Sequence, residues 1–158
     1  MGTEIERKFR IQSEEWKQHI SRTIYIRQGY LSSDAERTVR VRLWGEEGKL
    51  TIKSKTIKAS RMEFEYDIPK ADALEMLEKL CPFPQIQKKR HHIVSKNHIW
   101  EIDVFEGHNK GLVLAEIELS AEDEEFEKPA WLGEEVTTDH RYSNSYLAQH
   151  SFRSFLEP

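Results

Sequence analysis

Glu4-Ile5-Glu6-Arg7-Lys8-Phe9-Arg10-Ile11 alternates charged and apolar side chains almost without interruption. Successive side chains of a strand point to opposite faces. The stretch therefore predicts a strand with Glu4, Glu6, Lys8 and Arg10 on one face and Ile5, Phe9 and Ile11 on the other. Seven further runs carry the same period of two, giving strands over roughly 3–11, 24–30, 37–44, 49–56, 61–68, 86–95, 98–105 and 112–119. All of these but the run 24–30 add a charged face. Arg40 and Arg42 oppose Val39, Val41 and Leu43, and Thr51, Lys53 and Lys55 oppose Leu50 and Ile52. Arg61, Glu63, Glu65 and Asp67 oppose Met62, Phe64, Tyr66 and Ile68. Lys88 pairs with Arg90, Glu101 with Asp103, and Glu116 with Glu118.

Between these runs lie turns and three helical patterns. Gly45–Gly48 reads as a hairpin loop, Lys96-Asn97 as a turn, and Gly107–Gly111 as a connection. Ser13-Glu14-Glu15-Trp16 opens a short helix with an acidic first turn. Lys70–Leu80 places Leu74, Leu77 and Leu80 at helical spacing and is closed by Pro82. Ser143–His150 follows a capping serine, and the acidic stretch Glu122–Gly133 reads as a loop or short helix. The expectation is a mainly β (α+β) single domain spanning 1–158, with eight antiparallel strands and a few peripheral helices.

Composition narrows the functional classes. The 158 residues are 33% charged and 37% hydrophobic, with a net charge of −4, so neither a general polyanion-binding surface nor a nucleic-acid partner is indicated. The single cysteine, Cys81, excludes a disulfide framework and a cysteine zinc site. The start of the chain carries no signal-peptide pattern, and no apolar run approaches the ~20 residues of a membrane helix. A soluble, cytoplasmic protein without a membrane partner is expected. Neither GxxxxGK[ST] nor GxGxxG occurs, so the backbone phosphate cradles of nucleotide-binding folds are missing.

If the eight strands close into a barrel, their charged faces line its lumen. Each unpaired ion buried there costs several kcal/mol. Such a lumen must hold water, metal and a charged ligand. Arginine and lysine would clamp a polyanion, and grouped carboxylates would collect hard divalent cations through oxygen.

The order of these residues resembles the CYTH superfamily, the triphosphate tunnel metalloenzymes. Glu4-Ile5-Glu6-Arg7-Lys8 matches its ExExK signature at the amino terminus. Arg40-Val41-Arg42, Lys53, Glu63 and Glu65, Lys88 and Arg90, Asp103 and Glu116-Ile117-Glu118 follow in order. The stretches 100–118, 131–137 and 139–144 are similar to small bacterial members, which resemble inorganic tripolyphosphatases more than class IV adenylate cyclases. The resemblance implies an eight-stranded closed antiparallel tunnel and hydrolysis of a triphosphate, best matched by inorganic tripolyphosphate. It implies Mg²⁺ or Mn²⁺ held by Glu4, Glu6, Glu116 and Glu118 with help from Asp103. Lys8, Arg40, Arg42, Lys53, Lys88 and Arg90 would hold the phosphates. Lys8, Arg42 and Glu63 would carry the catalytic contribution, with Glu63 near the metal or the attacking water.

Other residues weigh less. His91 and His92 fall on opposite faces and cannot chelate together. Arg141 either reaches substrate or forms a local ion pair, Lys55 is a second phosphate contact or a rim residue, and His140 lies near the mouth or is structural. Tyr25 and Tyr30 either close one end or pack, and Trp16, Trp44 and Trp131 are expected in the core or under a helix. Two other functions fit the same charges: a class IV-type adenylate cyclase, and a non-catalytic module binding polyphosphate or nucleotide. An apolar strand face left uncovered by three helices would make a homodimer.

Overall fold

The computed structural model describes residues 2–156 of the chain. Nine strands form one sheet: β1 (Gly2–Ile11), β2 (Arg22–Asp34), β3 (Arg37–Trp44), β4 (Glu47–Ser54), β5 (Ser60–Ile68), β6 (Ile86–Ser95), β7 (His98–Glu106), β8 (Val113–Glu118) and β9 (Leu132–Glu135). The strands run in the order β5-β4-β3-β2-β6-β7-β8-β1-β9, and β5 also pairs with β1. Eight antiparallel strands therefore close into a barrel. Closure leaves no free edge among these eight.

The closing strand, β1, changes partners along its length. Its first residues pair with β5, Glu4 opposite Arg61, and its last residues pair with β9, Ile11 opposite Leu132. The other edge of β1 runs beside β8, with Glu6 opposite Glu118 and Lys8 opposite Glu116. The expected loop or short helix over Glu122–Gly133 thus ends in a ninth strand. Gly133 permits that pairing, because a Cβ there would lie 2.9 Å from the Arg10 carbonyl oxygen. The β3–β4 hairpin is also tighter than expected: Gly45 and Glu46 alone form the turn, Gly45 has a φ of +60°, and Gly48 already lies in β4.

Apolar side chains on the outer face are covered segment by segment. Helix α1 (Lys70–Lys79) lays Ala73 and Leu77 on Val41 and Leu50, while Leu74 and Leu80, expected on its inner face, are exposed. A 3-10 turn at Glu15–His19 stands where the first short helix was expected, and brings Trp16 against Ile93 and Trp100. The segment before β9 adds Phe126 and Trp131, which meet Trp100 edge-on. Ile52, Met62 and Tyr66, on the outer face of β4 and β5, remain exposed. Among the described residues no helix is long and apolar enough to cross a membrane.

The inside of the barrel is not charged along its whole height. At one end Ile86, Phe105 and Leu114 point inward and pack with Leu147 and Ala148 of α2 (Asn144–Gln149), and α3 (Arg153–Leu156) follows behind. Ser143 caps α2, its hydroxyl accepting from the Tyr146 amide. This apolar plug floors the charged part of the lumen.

Two adjacent residues of β7 test the alternation. Trp100 is 0% exposed and Ile99 is 52% exposed. Trp100→Ala is expected to lower unfolding free energy by about 3–5 kcal/mol in urea titrations. Ile99→Ala should stay within about 0.5 kcal/mol of the parent. Equal losses would contradict the facing assigned here.

Candidate active site

Above the plug, charged side chains from seven strands and the start of α2 enclose a cavity of about 220 Å³. Six cationic and seven acidic side chains line it. They are sorted by strand. Going round the barrel, β4, β3 and β6 present Lys53, Arg40, Arg42 and Arg90, with the uncharged Tyr30 of β2 between them. The strands opposite, β7, β8, β1 and β5, present Glu101, Glu116, Glu118, Glu4, Glu6, Glu63 and Glu65. One half of the wall is basic and the other acidic, with Lys8 and Arg61 the only cations rooted in the acidic half among the described lining residues.

Ion pairs concentrate where the halves meet. At the β4–β5–β1 seam, Lys53 Nζ lies 3.2 Å from Glu4 Oε1 and 3.3 Å from Glu63 Oε2. Arg61 Nε donates to Glu4 Oε1 at 2.9 Å. At the β6–β7 seam, Arg90 grips Asp103 through Nε at 2.8 Å and Nη2 at 2.9 Å, and Lys88 Nζ donates to the same carboxylate at 2.7 Å. Asn144 Oδ1 accepts a second bond from Lys88 at 2.9 Å. Within the basic half Arg42 Nε donates to Gln28 Oε1 at 2.8 Å, and the Arg40 guanidinium to Thr51 Oγ1 at 3.2 Å. Arg90 is bound more fully than the other two, its Nη1 lying 3.4 Å from Glu101, and Arg40 Nη2 lies 3.6 Å from Glu65 while its Nε is buried without a partner among the described residues. Arg42 keeps the most unused donors, and all three side chains line the lumen.

Burial and charge shift the carboxylates in opposite directions. Burial alone would raise Glu4, but Lys53 and Arg61 hold it well below the usual carboxylate range. Glu116 is held low in the same way, by Lys8, Arg90 and Lys88 against its burial. Glu6 has only the Arg61 guanidinium at 3.9 Å, and burial with the Glu116 and Glu4 carboxylates pushes it up to about 8. Glu118 is raised too, by burial, Glu4 and Glu101. Burial pulls Lys88 down to about 7 despite Asp103, and burial with Arg40 and Arg90 lowers Arg42 to about 9. The acidic half thus holds more negative charge than its own cations neutralise.

Lys8, Arg40, Arg42, Lys53 and Arg90 all reach the cavity, as do Glu4, Glu6, Glu63, Glu65, Glu116 and Glu118. Two residues read from the sequence do not. Lys88 and Asp103 are 0% exposed and lie inside the barrel below the cavity, between Arg90 and the apolar plug. Lys55 falls beyond β4 at the rim, 3.8 Å from Glu36, and Arg141 is occupied by a two-pronged bond to Asp139. Tyr25 is exposed on the outer face, whereas Tyr30 lines the lumen. Trp44 is a correction. It lines the cavity rather than the core, with the Arg42 and Arg90 guanidiniums each 5.6 Å from its ring centre. Arg61, Thr38, Glu101 and the Ser143–Ser145 segment also line the site without having been singled out. Parity marked Arg61 and Glu101; nothing local marked the others.

The raised Glu6 fixes a pH dependence. Its folded value of about 8 exceeds its ordinary 4.5. Its contribution to stability is therefore whole below the ordinary value and is lost as pH rises through the folded one. In metal-free buffer the urea-derived stability of the parent should fall relative to Glu6→Gln between about pH 5 and 8. A difference that stays flat across that window would contradict the assignment.

Comparison with known proteins agrees with this geometry. The chain is 44% identical to an inorganic triphosphatase of Acetivibrio thermocellus over 157 residues, covering 99% of this chain and 100% of the relative. It is 37% identical to an inorganic triphosphatase of Nitrosomonas europaea over 151 residues, 92% and 97% of the two chains. A solved structure of an inorganic triphosphatase superposes with a TM-score of 0.67 at 35% identity, covering 95% of this chain and 97% of the other. The CYTH domain model matches residues 2–152, and the chain belongs to the CYTH domain family.

Proposed function

We propose that the protein is a divalent-metal-dependent inorganic triphosphatase, which hydrolyses tripolyphosphate to pyrophosphate and orthophosphate inside the barrel. The observation that carries this reading is the division of one enclosed wall into a basic and an acidic half. A pure anion site gains nothing from seven carboxylates beside its arginines, and a pure cation site gains nothing from the arginines. A polyphosphate held together with divalent cations uses both. Two relatives of nearly full coverage, named inorganic triphosphatases, support the same substrate class.

The donor set fits a hard divalent cation such as Mg²⁺ or Mn²⁺, because Glu4, Glu6, Glu116 and Glu118 offer only carboxylate oxygen. Among the described residues no three such groups already converge on one point. Glu4 is turned to Lys53 and Arg61, and Glu116 faces Lys8 at 3.8 Å. Glu118 makes no ion pair among the described residues, and Glu6 has only the Arg61 guanidinium at 3.9 Å. The shortage of positive charge around Glu6 and Glu118 is what a divalent cation would correct. When bound, such an ion neutralises phosphate charge and lowers the pKa of water.

The chain's own groups supply the rest. Arg40, Arg42 and Arg90 grip phosphate oxygens with paired N–H donors, and Lys8 and Lys53 act as point charges. Lys88 and Asp103 hold Arg90 at its angle from below the cavity, a positioning role. Glu63 is bound to Lys53 on one side and open to the lumen on the other, and accepts the proton of the attacking water. The water oxygen forms a bond to the terminal phosphorus, the bridging P–O bond breaks, and pyrophosphate leaves. Catalysis is positioning and charge spreading, with no covalent intermediate.

Incubation with tripolyphosphate should yield equal amounts of orthophosphate and pyrophosphate with Mg²⁺ or Mn²⁺, and none with EDTA. Glu6→Ala and Glu118→Ala are each expected to lower kcat by about 100-fold or more, since metal-based stabilisation is worth several kcal/mol. Release of no phosphate with either metal, or formation of cyclic AMP from ATP without phosphate release, would overturn the reading.

A further inference from the structure

Arg61 stands where neither a phosphate clamp nor a metal site calls for a cation. It lies on β5 and faces β1, its Nε donating to Glu4 at 2.9 Å and its Nη2 lying 3.9 Å from Glu6. Both of those carboxylates belong to the donor set described above. A guanidinium stays protonated at any working pH, so its charge repels a divalent cation approaching the same oxygens. Glu4 is also crowded: Oε1 accepts from Arg61 and Lys53, and Oε2 accepts from Lys53 at 3.3 Å. It cannot ligate a metal unless one of these cations lets go.

The surroundings indicate which one. Lys53 is wedged between Glu4 and Glu63, with its side chain 8% exposed. The Arg61 side chain is 23% exposed and borders two spaces, the central cavity and an adjoining cavity of about 340 Å³. That second space is lined by hydroxyls, apolar groups and charges of both signs, among them Thr137, Thr138, Lys55, Lys58 and Asp139. Arg61 therefore sits on the partition between the two, on a long side chain with room to turn.

We propose that Arg61 is an exchangeable counter-ion. Without ligands it neutralises Glu4 and Glu6. When metal and triphosphate enter together, it releases both carboxylates to the metal and transfers its guanidinium to an oxygen of the incoming phosphate chain. The inference rests on the triphosphatase reading and deepens it. Its consequence is positive coupling: metal alone must displace Arg61 with no new acceptor offered, whereas triphosphate supplies that acceptor.

Titration calorimetry with MnCl₂, with and without non-hydrolysable imidotriphosphate, tests this on the whole protein. The parent should bind Mn²⁺ about 10-fold more tightly when imidotriphosphate is present. Arg61→Ala and Arg61→Gln should bind Mn²⁺ alone about 10-fold more tightly than the parent, with the enhancement by imidotriphosphate reduced by a similar factor. Arg61→Lys, which keeps a charge, should restore most of the coupling. Parent protein that shows no coupling overturns the exchange, and so does either neutral variant, folded by its thermal transition, with parent-like Mn²⁺ affinity. If the neutral variants do not fold, the parent and Arg61→Lys titrations still decide. A parent that binds neither Mn²⁺ nor imidotriphosphate overturns the triphosphatase reading itself. A parent that hydrolyses tripolyphosphate while neutral variants keep its Mn²⁺ affinity overturns only the exchange.

Discussion

A charge drawn inside a closed barrel must find an opposite charge there. An isolated ion loses several kcal/mol of hydration, which a single imperfect neighbour does not return. Most inward charges near the seams obey this rule: Asp103 holds two cations, Lys53 lies between two acids, and Glu4 between two bases. The two halves of the wall agree with it only in part. Their facing surfaces are far enough apart to enclose a cavity, and Glu6 and Glu118 on one side and the free N–H groups of Arg42 on the other are not satisfied across it. That incompleteness is the functional part of the structure. It is a demand for a ligand carrying both signs of charge.

Stability and activity therefore compete for the same groups. The pairs that keep the lumen tolerable without ligand are made by Glu4, Lys53, Arg61, Lys8 and Glu116, and these are also the groups that the proposed function turns toward phosphate or metal. The pairs that need never break lie deeper. Lys88 and Asp103 are sealed under Arg90 and above the Phe105 ring, so the grip on the guanidinium persists whatever the cavity holds. The wall has a permanent layer and an exchangeable one, separated by a few ångström of depth.

Much of this was legible in one dimension. Period-two alternation assigned the inward face of every barrel strand except β2, because parity is a local property of a chain in extended conformation. Depth along the barrel axis is not local. Ile86 and Lys88 share a face, as do Phe105 and Asp103, yet one of each pair belongs to the apolar plug and the other to the charged layer. Only the register between strands decides that. The same limit hid that Lys88 and Asp103 lie below the cavity and that Trp44 lines it, since Trp44 is carried inward at the far end of a column that begins with Thr38. The ninth strand was missed because four residues, Leu132–Glu135, carry too little pattern, and their pairing depends on β1 leaving β5 halfway along.

The partner change in β1 links fold to site. Where β5 parts from it after Ile5 and β9 takes over near Phe9, Glu6, Lys8 and Arg61 border both cavities. In the proposed function a phosphate chain and its metals occupy the lumen between the two halves. A crystal structure of the protein with imidotriphosphate and Mn²⁺, with anomalous data at the manganese edge, decides whether they do. Phosphate density is expected against Arg40, Arg42 and Arg90, with an anomalous peak at about 2.0–2.2 Å from carboxylate oxygens of the Glu4–Glu6 and Glu116–Glu118 pairs. Phosphate and manganese bound outside the barrel, with these side chains still paired among themselves, would contradict it.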